Sequence, residues 1–288
     1  MSGLDPRRTA SQIRQTIAGW RAGGQTIALV PTMGNLHSGH LSLAELATEH
    51  ADRVVLTIFV NPTQFGVGED FESYPRTLAE DRALIDRAGT IDALFVPHVD
   101  EIYPDGTDAA FRLEVPPLGR ELCGASRPEH FNGVASVVLR LLNIVSPDLI
   151  VLGRKDYQQL LIIERMIADL RLPVAVIAGE TLRDQDGLAI SSRNNYLTEA
   201  QRRQAPLLHS ILKQVGDKLA NGERDYLALE NSALTDLKRG GFSPDYVSVR
   251  RAGDLAKPNG SQSPGELVVL AAAWLGEARL IDNLSVVA

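Results

Sequence analysis

Short apolar runs alternate with amphipathic segments along the chain as far as Gly179. Runs with few polar residues predict strands that are buried on both faces, as in a parallel sheet covered by helices. The predicted strands span residues 27–30, 54–60, 93–96, 149–152 and 174–178. Apolar residues at helical spacing predict helices over residues 41–49, 78–87, 134–145 and 158–170. The third helix is expected to end at Ser146, because the residue before a proline disfavours helical backbone.

This alternation predicts an α/β fold, a Rossmann-like doubly wound parallel sheet over residues 1–179. In such sheets, ligands bind beyond the carboxyl ends of the strands. No Gly-x-Gly-x-x-Gly or Walker loop follows a predicted strand. The usual dinucleotide and P-loop sites are therefore not favoured.

The pattern changes after Gly179. The predicted helices there span residues 199–222 and 226–239, and the predicted strands span residues 246–249, 267–272 and 280–286. Pro206 is expected to bend or interrupt the first helix. The connections between the strands are too short for crossover helices, which indicates antiparallel pairing. We therefore predict a smaller C-terminal α+β lid domain over residues 180–288, hinged to the first domain near residues 179–186.

Composition narrows the class of protein. The chain has 288 residues, a formal net charge of −7 and a single cysteine. The acidic balance argues against a general nucleic-acid binder but is compatible with a local positive site for a small anion. One cysteine excludes an intramolecular disulfide framework and fits a reducing compartment. Because the sequence shows no apolar leader and no run of membrane-spanning length, we expect a cytoplasmic protein that binds neither membrane nor nucleic acid.

The stretch from Pro31 to His40 joins the first predicted strand to the first predicted helix and carries two glycines and two histidines. The first turn of a helix has unpaired N–H groups and the positive end of the helix dipole, which suit an anion. If the helix begins near residues 36–39, His37 and His40 share one face and can reach one phosphate. Two exposed histidines at a helix start are the alternative. Zinc is disfavoured because no third ligand is nearby and Cys123 is distant in the sequence.

Polar residues also follow the second and fourth predicted strands. Asn61 and Gln64 have amides that both donate and accept hydrogen bonds, which suits a hydroxyl or carboxylate better than a phosphate. Lys155 is placed to neutralise a phosphate at a helix start, with Gln159 one turn further along. The alternatives are a simple turn after the second strand, a solvated Lys155 and a helix cap by Asp156.

The polar segment 183–195 lies at the predicted hinge. Ser191, Ser192 and Arg193 offer two hydroxyls and a guanidinium group that could surround a polyphosphate. The alternative is a polar loop leading to the next helix, for which Thr198 offers an N-cap. The position at a domain junction favours a closing element over a passive loop.

Several isolated residues allow weaker interpretations. Arg127 and His130 precede a predicted helix and are compatible with a lid or a ligand-facing turn. Asp81 could meet a magnesium ion, but a solvated helix carboxylate is the favoured interpretation. The remaining histidines have no companions in the sequence and are expected to be structural or exposed: His50, His98 and His209.

Six motifs occur in a compatible order and spacing. They are PTMGNLHSGH at 31–40, FVNPTQF at 59–65, YPRT at 74–77, RPEHF at 127–131, GRKDYQQ at 153–159 and ISSR at 190–193. Together they resemble the pantothenate synthetase (pantoate–β-alanine ligase) family of nucleotidyltransferases, related to class I aminoacyl-tRNA synthetases. The resemblance runs nearly end to end, through AWLG at 273–276 and RLIDN at 279–283. One such motif is weak evidence, whereas six in order are specific.

The resemblance implies a homodimer that uses ATP, Mg²⁺, pantoate and β-alanine. The pantoate carboxylate would attack the α-phosphorus of ATP, giving pantoyl adenylate and pyrophosphate, and the amine of β-alanine would then displace AMP. It implies catalytic roles for His37, His40 and Lys155, with His40 as the expected proton donor. The implied ATP-binding residues are Met33, Gly34, Asn35, Leu36, His37, Ser38, Gly39, His40, Gly153, Arg154, Lys155, Asp156, Leu182, Ile190, Ser191, Ser192 and Arg193. The implied pantoate and β-alanine residues are Asn61, Gln64 and Gln159, and no metal ligand is assigned.

Two positions depart from the family pattern. Arg154 stands where Glu is usual, and Thr63 stands where Met is usual. Arg154 reverses a charge beside Lys155, so it either tightens ATP binding or points outward, and Thr63 is expected to reshape the pantoate pocket slightly. Neither change removes a residue that the chemistry needs, so we expect an active enzyme.

Three other functions compete with this interpretation. A nucleotidyltransferase with a phosphate acceptor is disfavoured because the neutral amides of Asn61, Gln64 and Gln159 would offer that acceptor no cation. An RNA-binding relative of the synthetases is disfavoured by the acidic balance. A catalytically inactive binding module is disfavoured by the retained histidines, lysine and serines.

Overall fold

The structure is a computed structural model that describes residues 4–66 and 68–287. Its larger sheet consists of β1 (Ile27–Thr32), β2 (Arg53–Ile58), β3 (Ala93–Phe95), β4 (Leu149–Gly153) and β5 (Ala175–Gly179). These strands are parallel and lie in the order β3-β2-β1-β4-β5, which confirms the predicted Rossmann-like fold. The strand order reverses between β1 and β4, which is where ligands bind in sheets of this kind.

Seven α-helices accompany this sheet within the described residues. They are α1 (Ala10–Ala22), α2 (Ser38–Thr48), α3 (Leu78–Ala88), α4 (Val99–Ile102), α5 (Cys123–Ser126), α6 (His130–Val145) and α7 (Tyr157–Asp169). As predicted, α6 ends directly before Ser146. The hydrophobic pattern did not predict α1, although Thr9 and Gln12 form a capping box at its start. That motif is a start signal that the sequence carries.

Small buried residues fix the position of α2 on the sheet. Ala44 and Ala47 are fully buried in a core that includes Val30, Leu56 and Val151. Alanine side chains allow a helix backbone to lie close to the strands that it covers. The start of α2 is therefore held at the carboxyl end of β1.

The chain forms two compact units. One comprises the residues up to Arg154 together with Ile162–Glu180, and the other comprises Lys155–Leu161 and the residues from Thr181 onward. This division differs from the predicted boundary near residue 179 because Lys155–Leu161 group with the second unit. The lid function of residues 180–288 and the hinge at 179–186 stay predictions.

The second unit contains a three-stranded antiparallel sheet, as predicted. It consists of β6 (Ser243–Arg251), β7 (Leu267–Leu275) and β8 (Ala278–Ser285), with α8 (Glu199–Gln204), α9 (Leu207–Ala220) and α10 (Tyr226–Arg239). Pro206 separates α8 from α9, and the Thr198 hydroxyl caps α8 by accepting the N–H of Gln201. Leu212, Leu219 and other buried residues of these helices pack into the core of this unit.

Candidate active site

His37 and His40 lie at the start of α2, beside the carboxyl end of β1. The helix begins at Ser38, so His37 is the N-cap residue, and the two rings stack with their centroids 4.0 Å apart. The predicted helix start and shared face are thus confirmed. The backbone N–H of His37 donates to His40 Nδ1 at 3.3 Å. Because Nδ1 accepts this bond, a neutral His40 ring carries its proton on Nε2, where it can be donated to an oxygen.

A buried carboxylate holds the loop that precedes these histidines. Asp81 on α3 accepts the backbone N–H of Leu36 at 2.7 Å and that of Asn35 at 3.1 Å, one at each carboxylate oxygen. The Thr77 hydroxyl donates a third bond at 3.2 Å. Burial raises the pKa of Asp81, although these three hydrogen bonds act in the opposite direction. Since its two oxygens bind two successive amides, Asp81 fixes the path of the loop.

The loop needs this support because two successive residues have left-handed backbone. Gly34 has a φ of +82° and Asn35 a φ of 50°. A Cβ on Gly34 would lie 3.0 Å from Ile58 Cγ2 and 3.1 Å from Asp81 Oδ2. Both the conformation and the close contact therefore require glycine at this position.

The interpretation of Asp81 as a solvated helix carboxylate is wrong, because this residue is only 1% exposed. Asp81 and Ile85 lie four residues apart on the buried side of α3. That spacing is visible in the sequence and could have indicated an inward-facing carboxylate. A carboxylate in such a position requires hydrogen-bond donors, which the loop amides supply.

A chain of hydrogen bonds leads from Tyr103 to the same loop. The Tyr103 hydroxyl donates to Asn61 Oδ1 at 2.8 Å, and Asn61 Nδ2 donates to Gln64 Oε1 at 3.1 Å. Gln64 Nε2 in turn contacts Met33 Sδ at 3.1 Å. Burial raises the pKa of Tyr103, so the phenol stays protonated and remains a donor. Sequence reasoning did not single out Tyr103.

The direction of these hydrogen bonds decides which atoms the two amide groups present to their surroundings. Because Gln64 Oε1 accepts from Asn61, the Gln64 amide presents N–H groups towards Met33. Asn61 is 1% exposed, and its Nδ2 also donates to the carbonyl of Gly133 at 3.2 Å. In the structure Asn61 orients Gln64, and its direct contact with a substrate stays a prediction.

Tyr103 and Thr63 donate to one acceptor. Thr63 Oγ1 donates to Asn61 Oδ1 at 3.0 Å and lies 3.1 Å from the Tyr103 hydroxyl. We expect Tyr103→Phe to raise the KM of the substrate that is predicted to bind at Gln64 by about fivefold, because Asn61 loses one of two hydroxyl donors. Steady-state kinetics on Tyr103→Phe, Thr63→Val and the double variant test this. The rise in KM in the double variant should exceed the product of the rises in the two single variants. A rise equal to that product would contradict a shared acceptor.

The segment with Asn61 and Gln64 packs against the start of α6. A Cβ on Gly133 would lie 2.3 Å from the carbonyl oxygen of Thr63, so any larger residue would displace the segment. His130 Nδ1 lies 2.8 Å from the Gln64 carbonyl oxygen, and Arg127 lies next to His130. The structure therefore places the 127–131 motif against the backbone of Gln64.

Arg154 follows Gly153, the last residue of β4. Its Nε lies 2.9 Å from Glu180 Oε1, and both side chains are exposed to solvent. Ion pairs of this kind contribute little to stability. The structure thus gives Arg154 a carboxylate partner, and a tightening effect on ATP stays a prediction.

The second unit carries the other predicted site residues in two segments: Lys155, Asp156, Gln159, Leu182, Ile190, Ser191, Ser192 and Arg193. Lys155 Nζ lies 3.7 Å from Asp156 Oδ2, and its carbonyl accepts Asn283 Nδ2 at 2.9 Å. The Tyr157 hydroxyl donates to the carbonyl of Ala252 at 3.1 Å. The backbone around Lys155 is therefore tied to the antiparallel sheet of its own unit.

A tight turn connects Leu182 to Ile190, whose backbone N–H donates to the Leu182 carbonyl at 3.0 Å. Arg183 donates to both oxygens of Asp282 at 2.7 and 2.8 Å and to the carbonyl of Gly187 at 3.1 Å. Asp282 thereby anchors the turn that leads to the serine pair.

The serine pair lies directly after this turn. Ser191 caps a short 3-10 helix, Ser192–Tyr196, and its hydroxyl accepts the N–H of Arg193 at 3.3 Å. The capping alternative considered for this loop is thus realised locally by Ser191, while Thr198 caps α8. A phosphate-binding role of Ser191, Ser192 and Arg193 stays a prediction.

Asp282 is buried beside His209, whose Nδ1 lies 3.3 Å from Asp282 Oδ2. His209 is therefore a structural histidine, one of the two outcomes expected for it, and its partner Asp282 is distant in the sequence. Burial acts to raise the pKa of Asp282, but its contacts with His209 and Arg183 lower that pKa below its usual range.

This pKa shift predicts how acid affects stability. Because the folded pKa of Asp282 lies below the ordinary value of 3.8, the unfolded chain takes up a proton first as the pH falls. The stabilisation is therefore fully present well above the unfolded pKa of 3.8 and is lost as the pH falls through the folded pKa. Below pH 4 we expect the unfolding free energy to fall more steeply in the wild type than in Asp282→Asn, by up to about 1.4 kcal/mol per pH unit. Urea unfolding between pH 7 and 3 measures this, with the exposed Asp217→Asn as control, and parallel curves would contradict it.

The described part of the chain contains neither a cluster of metal-binding side chains nor a membrane-spanning helix. Within residues 4–66 and 68–287, no three histidine, cysteine, aspartate or glutamate side chains converge as a metal-binding group. None of the helices in these ranges has the length and hydropathy needed to cross a membrane.

Comparison with known proteins gives a consistent result. The family model described as pantoate-beta-alanine ligase matches residues 7–285. The chain is 51% identical to the pantothenate synthetase of Alkalilimnicola ehrlichii over 280 residues, with 96% of each chain covered. It is 53% identical to the pantothenate synthetase of Thioalkalivibrio sulfidiphilus, again with 96% of each chain covered.

Solved structures show the same similarity. The pantothenate synthetase of Thermus thermophilus has a TM-score of 0.90 and 41% identity, covering 98% of this chain and 99% of its own. The pantoate-beta-alanine ligase of Francisella tularensis, complexed with beta-gamma ATP and beta-alanine, has a TM-score of 0.82 and 31% identity. That comparison covers 98% of this chain and 97% of the other.

Proposed function

This chain belongs to the pantoate–β-alanine ligase family, and from that premise we propose that it joins pantoate to β-alanine with ATP. In the first step, a carboxylate oxygen of pantoate forms a bond to the α-phosphorus of ATP and pyrophosphate leaves. In the second step, the amine of β-alanine attacks the acyl carbon of pantoyl adenylate, loses a proton and displaces AMP. The product is pantothenate.

The contact between Gln64 Nε2 and Met33 Sδ is the observation that carries this proposal. It brings an amide donor against the loop that leads into the histidine pair, within a single compact unit. A donor amide suits the carboxylate that has to attack, and imidazoles at a helix start suit the phosphate that is attacked. The reaction needs these two groups side by side.

The residues of the first unit would act mainly by positioning and electrostatics. The first turn of α2 carries the positive end of the helix dipole, which would attract the phosphates of ATP. His40 would donate from Nε2 to a phosphate oxygen as charge develops, with His37 stacked against it. Gln64 would hold the pantoate carboxylate in line with the α-phosphorus.

The predicted site residues of the second unit complete the proposal. Lys155 and Arg193 would neutralise phosphate charge, and Ser191 and Ser192 would donate hydroxyl hydrogen bonds. Gln159 would bind pantoate through its amide. These roles come from the family resemblance, and the residue types suit them.

Magnesium, assembly and location also belong to the proposal. We propose that Mg²⁺ enters with ATP as part of the substrate, held by phosphate oxygens and water, because this ion seldom occupies an all-protein cage. Asp81 is disfavoured as a ligand, because it is only 1% exposed and both of its oxygens already accept backbone amides. A cytoplasmic homodimer is proposed from the family resemblance and the single cysteine.

Isotope exchange between pyrophosphate and ATP tests the function. We expect exchange to require pantoate and Mg²⁺ and to proceed without β-alanine, because adenylate formation is the reversible first step. Exchange without pantoate, or with a phosphorylated acceptor in its place, would instead indicate another nucleotidyltransferase of the superfamily.

A further inference from the structure

His130 lies between two partners that fix where its proton resides. Its Nδ1 is 2.8 Å from the carbonyl oxygen of Gln64, and its Nε2 is 3.1 Å from Arg127 Nη1. A carbonyl oxygen can only accept, so the hydrogen of the first bond belongs to Nδ1. A guanidinium group can only donate, so Nε2 carries a lone pair. Both partners therefore select the same neutral tautomer.

Arg127 is itself held in place by Glu69. Its Nε donates to Glu69 Oε1 at 2.8 Å, and its Nη2 donates to Glu69 Oε2, which makes the pair bidentate. The two side chains are only 15% and 23% exposed. Bidentate guanidinium–carboxylate pairs combine strength with a fixed orientation. The orientation of Arg127 is thus set independently of His130.

His130 binds the backbone carbonyl of Gln64, the residue whose side chain contacts Met33. Tyr103 and Asn61 orient the amide of Gln64, whereas His130 restrains its backbone. The close approach at Gly133 leaves the backbone of this segment little room to move. The side chain and the main chain of Gln64 are therefore held by separate sets of residues.

We propose that His130 is a positioning residue for Gln64, held in its neutral Nδ1–H tautomer by the Glu69–Arg127 ion pair. The effect on substrate rests on the proposed function, in which Gln64 binds the pantoate carboxylate. The tautomer does not rest on it, because the geometry alone requires it. A small shift of the Gln64 backbone would move its amide from the line of attack.

Nitrogen-15 spectroscopy of the histidine-labelled full chain tests the tautomer at neutral pH without substrate. The His130 signals are assigned by their loss in His130→Asn. We expect a proton on Nδ1 and none on Nε2. A proton on Nε2, or on both nitrogens, overturns the proposal. Glu69→Gln should release Arg127 and give a mixture of tautomers, and an unchanged spectrum would remove the ion pair from the proposal.

Kinetics of two amide variants test the positioning role. Asparagine places an N–H close to the position of Nδ1, whereas glutamine places it near Nε2. We expect His130→Asn to keep the KM for pantoate within about threefold of the wild type and His130→Gln to raise it about tenfold. The KM for ATP should stay within about twofold in both. Equal pantoate effects in the two variants, or a parallel rise in the KM for ATP, overturn the role.

The exposed His50→Asn is the matched control, and thermal unfolding shows whether each variant is folded. If neither variant folds, the His130 ring signals are assigned in the wild type through its sequentially assigned backbone resonances, and the wild-type spectrum still decides the tautomer. Failure of the proposed function can be told apart from failure of the His130 proposal. If the proposed function is wrong, pyrophosphate exchange by the wild type will not depend on pantoate, whichever tautomer His130 adopts.

Discussion

Replacing His40 by alanine is expected to slow the formation of pantoyl adenylate by roughly 10²–10³-fold, the loss typical of one positioned donor to a developing charge. The hydrogen bond from the backbone of His37 to Nδ1 leaves Nε2 as the donor atom of the ring. Alanine removes that donor and the ring stacked on His37. Pantoate-dependent pyrophosphate exchange measures this step directly.

The second half-reaction separates a phosphate role from a general defect. Supplied with preformed pantoyl adenylate, His40→Ala should convert β-alanine to pantothenate at a rate within about tenfold of the wild type, because the transfer of the adenylyl group to pantoate is already complete. Equal losses in both half-reactions would contradict a role at the α-phosphate. His50→Ala is the matched control, since His50 is exposed just after the same helix.

Asp81→Asn is expected to raise the KM for ATP by roughly 30-fold, equivalent to about 2 kcal/mol. The carboxylate accepts the amides of Asn35 and Leu36 with separate oxygens. An asparagine of the same shape keeps one acceptor and turns an NH₂ group towards the other amide. The left-handed backbone at Gly34 and Asn35 then loses part of its support, and the helix start is less well ordered for phosphate binding.

Glu80→Gln provides a close control for this prediction. Glu80 neighbours Asp81 on α3 but is exposed, so the same loss of charge should leave the KM for ATP unchanged. ATP titration and steady-state kinetics of both variants decide the outcome. An unchanged KM in Asp81→Asn would mean that the loop keeps its conformation without the carboxylate.

The sequence predicted elements best where local signals mark both ends. The helix Tyr226–Arg239 was predicted with both of its bounds, because Asp225 caps its start and glycines follow its end. The strands of the larger sheet were predicted within two residues at each end, because buried parallel strands are almost continuously apolar. The N-terminal helix was missed because few apolar positions mark it, with only Ile13 and Ile17 buried.

The site residues also divide into those that local sequence signals could place and those that they could not. His37 and His40 were placed correctly on one face of a helix start, because three-residue spacing on a helix is a local property. The partners of Asp81, Tyr103 and His130 lie 45, 42 and 66 residues away in the sequence. No periodicity or capping rule connects residues at such separations.

By itself, the sequence determined the order of the strands and of most of the helices and the set of chemical groups at the strand ends, because hydrophobic period, caps and motifs are local properties. Only the tertiary structure decided how those groups are held. It placed Asp81 under the loop, directed the amide chain from Tyr103 through Asn61 to Gln64, and set His130 against the Gln64 backbone. The physical reason is that a buried polar group requires a partner, and which distant residue supplies it depends on how the helices pack on the sheet.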